Sequence, residues 1–569
     1  MSEKKKTTYS LGIVLLALAI GLAAGFMTAP KVKPQDVPNV TGISKLGSHL
    51  VALEYIIANY YVDEVDYDSL TTSAMTAMLE SLDPHSSYLT PIANSKENEM
   101  MQSRFEGIGV TLHSMNDSVF ASTVRAGSPA HRAGIRAGDR IIKVDTTVVT
   151  GTGMSEELSS VVNLIRGPRY STVTLGIQRQ GSDKIREIKV KRDVILHPTV
   201  VAAVMIDKHT GYVNISRFSE TTASEFHAAL LQLTKEGMTH LVLDLRGNRG
   251  GSLETAIAVA DELLPKGDLI VYTEGAHSPR NNHYATRGGL FEEGKLTILI
   301  NEFSASASEV VSGAIQDNDR GTIIGRRSFG KGLVQQPISL HDGSMIRLTI
   351  ARYYSPSGRC IQKPYTSGAD RSYEEDLMNR YQHGEFFNGD SIKHDGPEYH
   401  THNGRVVYGG GGITPDIFVG EDTLGVTSYY REASMSGLIL QFAYEYVDEN
   451  RQQLSNYTTK KELLAYLKKL NTVELFAQYA EKNGLKRRNL MIQKSHALLE
   501  RYINSRLIYN VLDEQAWTEY LNDDDPAIRE TLRVFKNGES FPKPGDDEKK
   551  QRKVAYDYSS THRTLKLMA

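Results

Sequence analysis

Between Thr297 and Gln335 the chain alternates short apolar runs with small-residue turns, and few architectures accept that order. TILI (297–300) reads as a strand and SASA (304–307) as a tight turn. EVVSGAIQD (309–317) is an amphipathic helix with Val310, Val311 and Ala314 on one face. Gly321 to Gly325 is a second strand, and it leads into Lys331, held between Gly330 and Gly332. Strand, helix and strand in this order argue for a layered α/β sheet. A serine at a strand-to-helix turn points its hydroxyl toward a cleft, beside the unpaired N–H groups that open the helix. Ser306 occupies that place. Its plain reading is structural, because Ser306 with Glu309 three residues on is a capping box. Lys331 has its own rival reading. GRRSFGKG (325–332) nearly matches a phosphate loop, but Gly332 stands where the Mg²⁺-binding hydroxyl belongs.

The spacing of SASASE and FGKGLVQ, with the lysine 25 residues after the serine, resembles the serine–lysine carboxyl-terminal processing (tail-specific) proteases. So do LDPHSSYLTP (82–91), LDLRGNRGG (243–251), RYYSPSGRCIQ (352–362) and GGITPDI (411–417), all in the family's order. The resemblance covers roughly residues 40 to 420. It implies that Ser306 is the nucleophile, Lys331 its general base and Gln335 the residue that orients the lysine. It implies an oxyanion hole from the N–H of Gly250 or Gly251 and that of Ala307. Arg249 departs from the family pattern, which has proline there. No cofactor or metal is implied. His85, in LDPHSSYLTP, is the candidate for a Ser-His-Asp arrangement, with a loop histidine as the plainer reading; the chain holds no G-x-S-x-G elbow.

Residues 103–193 resemble a PDZ domain inserted before the protease core. Gly107, Ile108, Gly109 and Val110 are the expected peptide-binding positions. The glycines let backbone N–H groups face a tail carboxylate, and the peptide adds to the sheet edge beside Ile108–Leu112. Glu156–Ile165 is the expected groove helix. Arg166 is placed with this set and resembles a basic position that closes the module onto the protease body.

At the start of the chain, MSEKKK precedes Leu11–Met27, an uncharged apolar run. At 1.5 Å per residue it spans about 26 Å, so residues 1–30 read as a signal anchor or signal peptide that sends the rest outward. The expected location is a bacterial cell envelope, inner-membrane anchored or periplasmic. Residues 40–102 read as helices. The net charge of −3 shows no footprint for nucleic acid. Cys360 is the single cysteine, which excludes an intrachain disulfide.

The protease core is expected over 199–425, interrupted by a polar insert, 363–408, that reads as a solvated loop. His394, His400 and His402 within it are weak metal candidates. Residues 426–569 are helical and amphipathic, a surface for packing, partner docking or a homo-oligomer, with a loose polar end after Lys536. The expected fold class is therefore α/β (α+β) multidomain: a mixed-sheet protease core, an inserted PDZ-like domain, a helical N-terminal segment and a helical C-terminal extension. The function this implies is a serine endopeptidase acting on exported proteins near their C-termini. The competing reading is a non-catalytic PDZ scaffold that binds such tails.

Overall fold

The computed structural model describes residues 45–538, apart from 116, 152–157, 180–183, 287, 367 and 369–371. The apolar run 11–27 and the polar end after 538 lie outside the described residues. No helix among the described residues is long and apolar enough to cross a membrane. The chain divides into two compact units, Met1–Ala77 and Met78–Ala569. The first is helical where described, with Lys45–Tyr60 followed by most of Tyr67–Glu80.

The second unit is built on a six-stranded sheet. Its strands, in spatial order, are Val200–Met205, Thr210–Ile215, His240–Asp244, Lys295–Ile300, Thr322–Gly325 and Ile417–Phe418. The first pair is antiparallel and every later pair is parallel, in a register that sets Val213 beside Leu243, Leu243 beside Ile298 and Ile298 beside Ile323. These strands are mostly apolar along their central positions, as a sheet buried on both faces requires. Val213, Leu241, Leu243, Ile298, Ile300 and Ile323 face one way, onto the helices Thr222–Lys235, Leu253–Asp261 and Ala307–Asp317. The alternate residues Tyr212, Val242, Leu299 and Ile324 face the other way, and there they meet Ala527, Ile528, Val534 and Phe535. The last described helix, Pro526–Asn537, thus covers the second face of the six-stranded sheet. Its N-cap, Asp525, accepts a hydrogen bond from Arg246 Nη1 at 2.8 Å.

A second sheet carries Ser87–Leu89, Met345–Tyr354, Leu269–Gly275 and Ser278–Tyr284, with Leu333–Ser339 also paired to Met345–Tyr354. The PDZ-like module hangs from a two-stranded neck, Arg104–Gly107 against Asp193–Leu196. Its own sheet places Val110–Met115 at the edge, beside Ser118–Val124, Arg140–Val144, Thr172–Gln178 and Ile185–Lys191. The helix Leu158–Ile165 packs toward that edge strand.

One expectation needs correction. The 363–408 insert is folded: it holds the helix Ser372–Gln382 and the hairpin Glu398–His400 with Val406–Tyr408. Ion pairs, the buried ones of Arg380 and Arg327 with Glu385 and the half-buried one of Lys363 with Asp376, give its polar residues partners inside the protein. Its histidines are dispersed. His394 stacks on Tyr408, and no group of His, Cys, Asp or Glu among the described residues is arranged to hold a metal. The C-terminal extension packs, one of the uses expected of its surface. Tyr444, on Leu438–Glu449, is buried against His113 and Phe120 of the PDZ-like sheet, with ring centroids 5.0 and 5.6 Å away.

If Pro526–Asn537 is part of the protease core, Phe535→Ala destabilises the whole second unit. A loss of about 3–5 kcal/mol is expected for a buried phenylalanine, read as a lowered urea midpoint with an unchanged slope.

Candidate active site

Ser306 sits where Lys295–Ile300 has ended and Ala307–Asp317 begins, with φ 55° and ψ −114°. A non-glycine residue at that conformation carries strain of order 1–3 kcal/mol and persists only where its surroundings impose it. What imposes it is Glu309. This carboxylate is 1% exposed and accepts four hydrogen bonds. Oε2 takes the N–H of Ser306 at 2.8 Å and that of Lys331 at 2.9 Å. Oε1 takes the N–H of Gly330 at 2.7 Å and the Ser328 hydroxyl at 2.5 Å. The capping-box relation is present, but its strong arm is the carboxylate, which ties the serine turn to the lysine loop. The Glu309 N–H goes to the Ser306 carbonyl at 2.8 Å. A second clamp works on the opposite groups. The buried Tyr353 hydroxyl bridges the carbonyls of Ser306, at 3.1 Å, and Lys331. One carboxylate and one phenol therefore hold both backbones of the proposed dyad.

The neighbouring serines are consumed structurally. Ser304 Oγ donates to the Leu245 carbonyl at 2.8 Å, and Ser308 Oγ to the Asn248 carbonyl at 2.9 Å; both side chains are fully buried. Ser306 is the only partly exposed residue from Ser304 to Glu309.

Lys331 Nζ donates to Gln335 Oε1 at 2.9 Å, and Gln335 Nε2 donates to the His85 carbonyl at 2.5 Å. A carbonyl only accepts, so the Gln335 amide has one orientation, with its oxygen toward the lysine. Burial first, then the charge of Arg347, holds the Lys331 ammonium down to about 8, against the pull of Glu309, Asp83 and Glu97. At pH 7 roughly one such lysine in ten is neutral, against roughly one in three thousand at the ordinary value. His85 contributes its main chain here. Its ring bonds the Tyr373 hydroxyl at 2.6 Å, and burial, then Lys331, lowers its pKa to about 4, so it is no rival base.

The turn Gly247 to Gly251 lies against the serine. Gly250 has φ 99°, and a Cβ there would fall 2.7 Å from that of Ser306. Its N–H already donates to Asn248 Oδ1 at 2.9 Å, which corrects the expectation that it serves an oxyanion. Gly251 differs. Phe218 N–H donates to the Gly250 carbonyl and Ser252 N–H to the Phe218 carbonyl. That parallel bridge turns the Gly251 N–H the other way. Ala307 opens the helix, so its N–H has no partner within it. Asn248 locks the turn to the serine. Its carbonyl accepts Ala305 N–H and Ser308 Oγ, while its Nδ2 donates to the Ile215 carbonyl.

The PDZ positions assemble separately. The carbonyls of Ile108 and Gly109 are taken by the N–H groups of Ala130 and Arg125. Among the described residues no acceptor takes the N–H of Ile108 or Gly109. Gly107 ends the neck strand and Val110 begins the edge strand. Arg166 is not in that loop: it pairs with Glu99 of Pro91–Gln102 at 2.8 Å and lies over the Phe105 ring. Both partners are more than a third exposed, so the contact is a weak latch, worth about 0–1 kcal/mol.

Sequence reasoning missed Tyr353, Asn248 and the main chain of His85, and saw Glu309 only as a cap. Each lies in a segment singled out by motif. Nothing local tells a clamp from a packed strand residue, because the partners are distant in sequence.

Glu309→Gln tests the clamp. An amide has one acceptor oxygen for four donors, so two buried donors lose partners and about 2–5 kcal/mol of stability is lost. Peptidase activity should fall further than the remaining folded fraction explains. In the native enzyme kcat/KM should rise with pH through about 8, where Lys331 loses its proton. Burial also raises the Glu309 carboxyl to about 7, and all four partners require its ionised form, so the acid limb steepens below that pH.

The chain is similar to known proteins along most of its described length. The model for peptidase family S41 matches residues 209–373, that for the PDZ domain 120–179, and a family of unknown function 429–513. The carboxy-terminal-processing protease of Bartonella bacilliformis is 38% identical over 310 residues, 54% of this chain and 70% of the relative. The carboxy-terminal processing protease CtpA of Bacillus subtilis is 35% identical over 328 residues, 57% of this chain and 68% of that protein. Among solved structures, the photosystem II D1 C-terminal processing protease is 30% identical and covers 57% of this chain and 86% of that one. Its TM-score is 0.31, too low for the global arrangements to be compared. With a serine turn and a lysine loop clamped together, a PDZ module on its neck, and these relatives, the chain belongs to the carboxy-terminal-processing serine proteases of peptidase family S41.

Proposed function

We propose that this protein is an endopeptidase that cleaves exported proteins near their C-termini with a Ser306–Lys331 dyad. The observation that carries the reading is the pair of clamps. A strained serine and a desolvated lysine, 25 residues apart, share Glu309 and Tyr353. In this mechanism neutral Lys331 takes the Ser306 proton as Oγ attacks the scissile carbonyl. Gln335 occupies one amine hydrogen, which leaves the lone pair for the serine. The N–H groups of Gly251 and Ala307 receive the developing oxyanion, a contribution worth about 3–4 kcal/mol per donor in comparable sites. The ammonium then protonates the leaving amine. Lys331 next takes a proton from water, which attacks the acyl ester and releases the new carboxyl terminus and Ser306. The clamped serine and desolvated lysine support this reading over the competing scaffold.

The PDZ-like module supplies the tail selectivity in this proposal. Its unclaimed N–H groups at Ile108 and Gly109 suit a terminal carboxylate, and the adjoining edge strand accepts an added peptide strand. Docking a tail raises the local concentration of the nearby scissile segment, to the millimolar range for a short connection. The lysine-flanked run 11–27 supports a membrane-tethered or exported location.

Digestion of an unstructured protein by residues 31–569 tests the dyad. Ser306→Ala and Lys331→Arg should each lower the rate at least about a thousandfold with the fold retained. Cleavage by Ser306→Ala at a tenth of the native rate sinks the assignment. Amidating a substrate's terminal carboxylate should slow its cleavage, and equal rates for free and amidated tails remove the PDZ capture. Protease added to intact spheroplasts should reach residues beyond Lys31, and full protection overturns the topology.

A further inference from the structure

The insert 363–408 has no part in the mechanism above, yet it is anchored directly behind the catalytic lysine. Arg380, on Ser372–Gln382, donates to the carbonyls of Ser328 at 3.0 Å and Arg327 at 2.7 Å, in the loop that leads to Lys331. Arg327 and Arg380 share the buried carboxylate of Glu385. Lys363 Nζ donates to the Tyr373 carbonyl and to Asp376, each at 3.0 Å. The insert helix is thereby held in one place, and so is Tyr373.

The Tyr373 ring is buried and caged. The Lys363 ammonium lies over its face at 4.1 Å, and the Phe329 ring meets it edge-on at 6.1 Å. On the remaining side it meets His85 edge-on, with centroids 5.3 Å apart and planes at 83°, and its hydroxyl lies 2.6 Å from His85 Nε2. His85 is therefore held at two points. Asp83 takes its N–H at 2.8 Å, and Tyr373 takes its ring. Its carbonyl, between them, is the acceptor that orients Gln335.

We propose that Tyr373 is a positioning residue for the dyad: the insert fixes the His85 ring, the His85 carbonyl fixes Gln335, and Gln335 aims the Lys331 amine. The proposal rests on the Ser306–Lys331 reading. It gives the insert a role in the reaction, since the helix of the insert supplies the outer end of a four-residue chain whose inner end is the general base. Tyr373 touches no substrate and exchanges no proton in this scheme.

The test compares wild type, Tyr373→Phe, His85→Ala, the double variant and Tyr365→Phe, with kcat and KM measured from pH 6 to 10. Tyr365 lies beside Tyr373 in the same insert, at 6.4 Å between rings, while the His85 ring bonds Tyr373 instead, so Tyr365 controls for a general disturbance. Tyr373→Phe should lower kcat at least tenfold with KM within twofold. The pH midpoint should move up from about 8, as water reaches the loosened amine. The charges that face Lys331, those of Arg347, Glu309, Asp83 and Glu97, are the same in both proteins, so such a shift reports hydration and aim. The double variant should be no slower than the slower single one, since both break one chain. A Tyr373→Phe enzyme with native kcat and midpoint overturns the proposal, as does a lower melting temperature with unchanged kcat and midpoint, or fully multiplicative losses in the double variant. Ser306→Ala is run beside them. If it still cleaves, the dyad reading itself has failed; if it is inactive while Tyr373→Phe is native, only the role of the insert has.

Discussion

Everything at this active site depends on one buried carboxylate meeting four donors. Glu309 neutralises no cation directly; its partners are three backbone N–H groups and a serine hydroxyl. An uncompensated carboxylate at that depth costs several kcal/mol. The cost is met only if the serine turn and the lysine loop both approach, so the same term that makes burial expensive makes the juxtaposition specific. The strain at Ser306 follows from this: its N–H must turn toward Glu309 while its carbonyl serves the Glu309 N–H and Tyr353. Tyr353 repeats the constraint from the carbonyl side. Two distant segments are thereby held as rigidly as neighbours in one strand.

The environment of Lys331 is tuned by the same packing. A lysine in water is a poor base at neutral pH because nearly all of it is protonated. Here burial and Arg347 disfavour the charge while Gln335 keeps one hydrogen-bond acceptor in place. That acceptor is fixed in turn by a peptide carbonyl, which cannot flip its polarity as a side chain can. The Lys331 amine is therefore aimed by main-chain geometry from LDPHSS, a segment nearly 250 residues earlier in the chain.

The C-terminal extension enters the fold at two places with different consequences. Its last described helix covers a sheet face that would otherwise expose Val242, Leu299 and Ile324, and Asp525 bonds Arg246 just before the glycine turn 247–251. Its Tyr444 rests on the PDZ-like sheet at His113, a residue of the edge strand itself. A module held by its neck, by Tyr444 and by the half-exposed Arg166–Glu99 pair has one contact far weaker than the others.

Much of this was legible in the residues themselves. The strand, turn and helix around Ser306 follow from period and composition, and the apolar run TILI announces a strand. The family motifs in order pointed to the dyad and to Gln335. What could not be read was any contact whose partner lies far along the chain. LVLDL shows that two faces need cover but cannot say that residues 527–535 supply one of them. Glu309 reads as a cap because its near partner is three residues away, and its decisive partners are 19 to 22 residues away across a strand. The insert reads as solvated because its charges are many, and only the fold shows that each buried one meets its opposite. Gly250 and Gly251 are alike in sequence, and only the fold shows that Gly250 N–H is held by Asn248 while Gly251 bridges Phe218. Local periodicity encodes which elements form, since it depends on the backbone's own repeat. The pairing of buried polar groups is an energetic demand on whatever the fold brings near, so only the tertiary structure decided it.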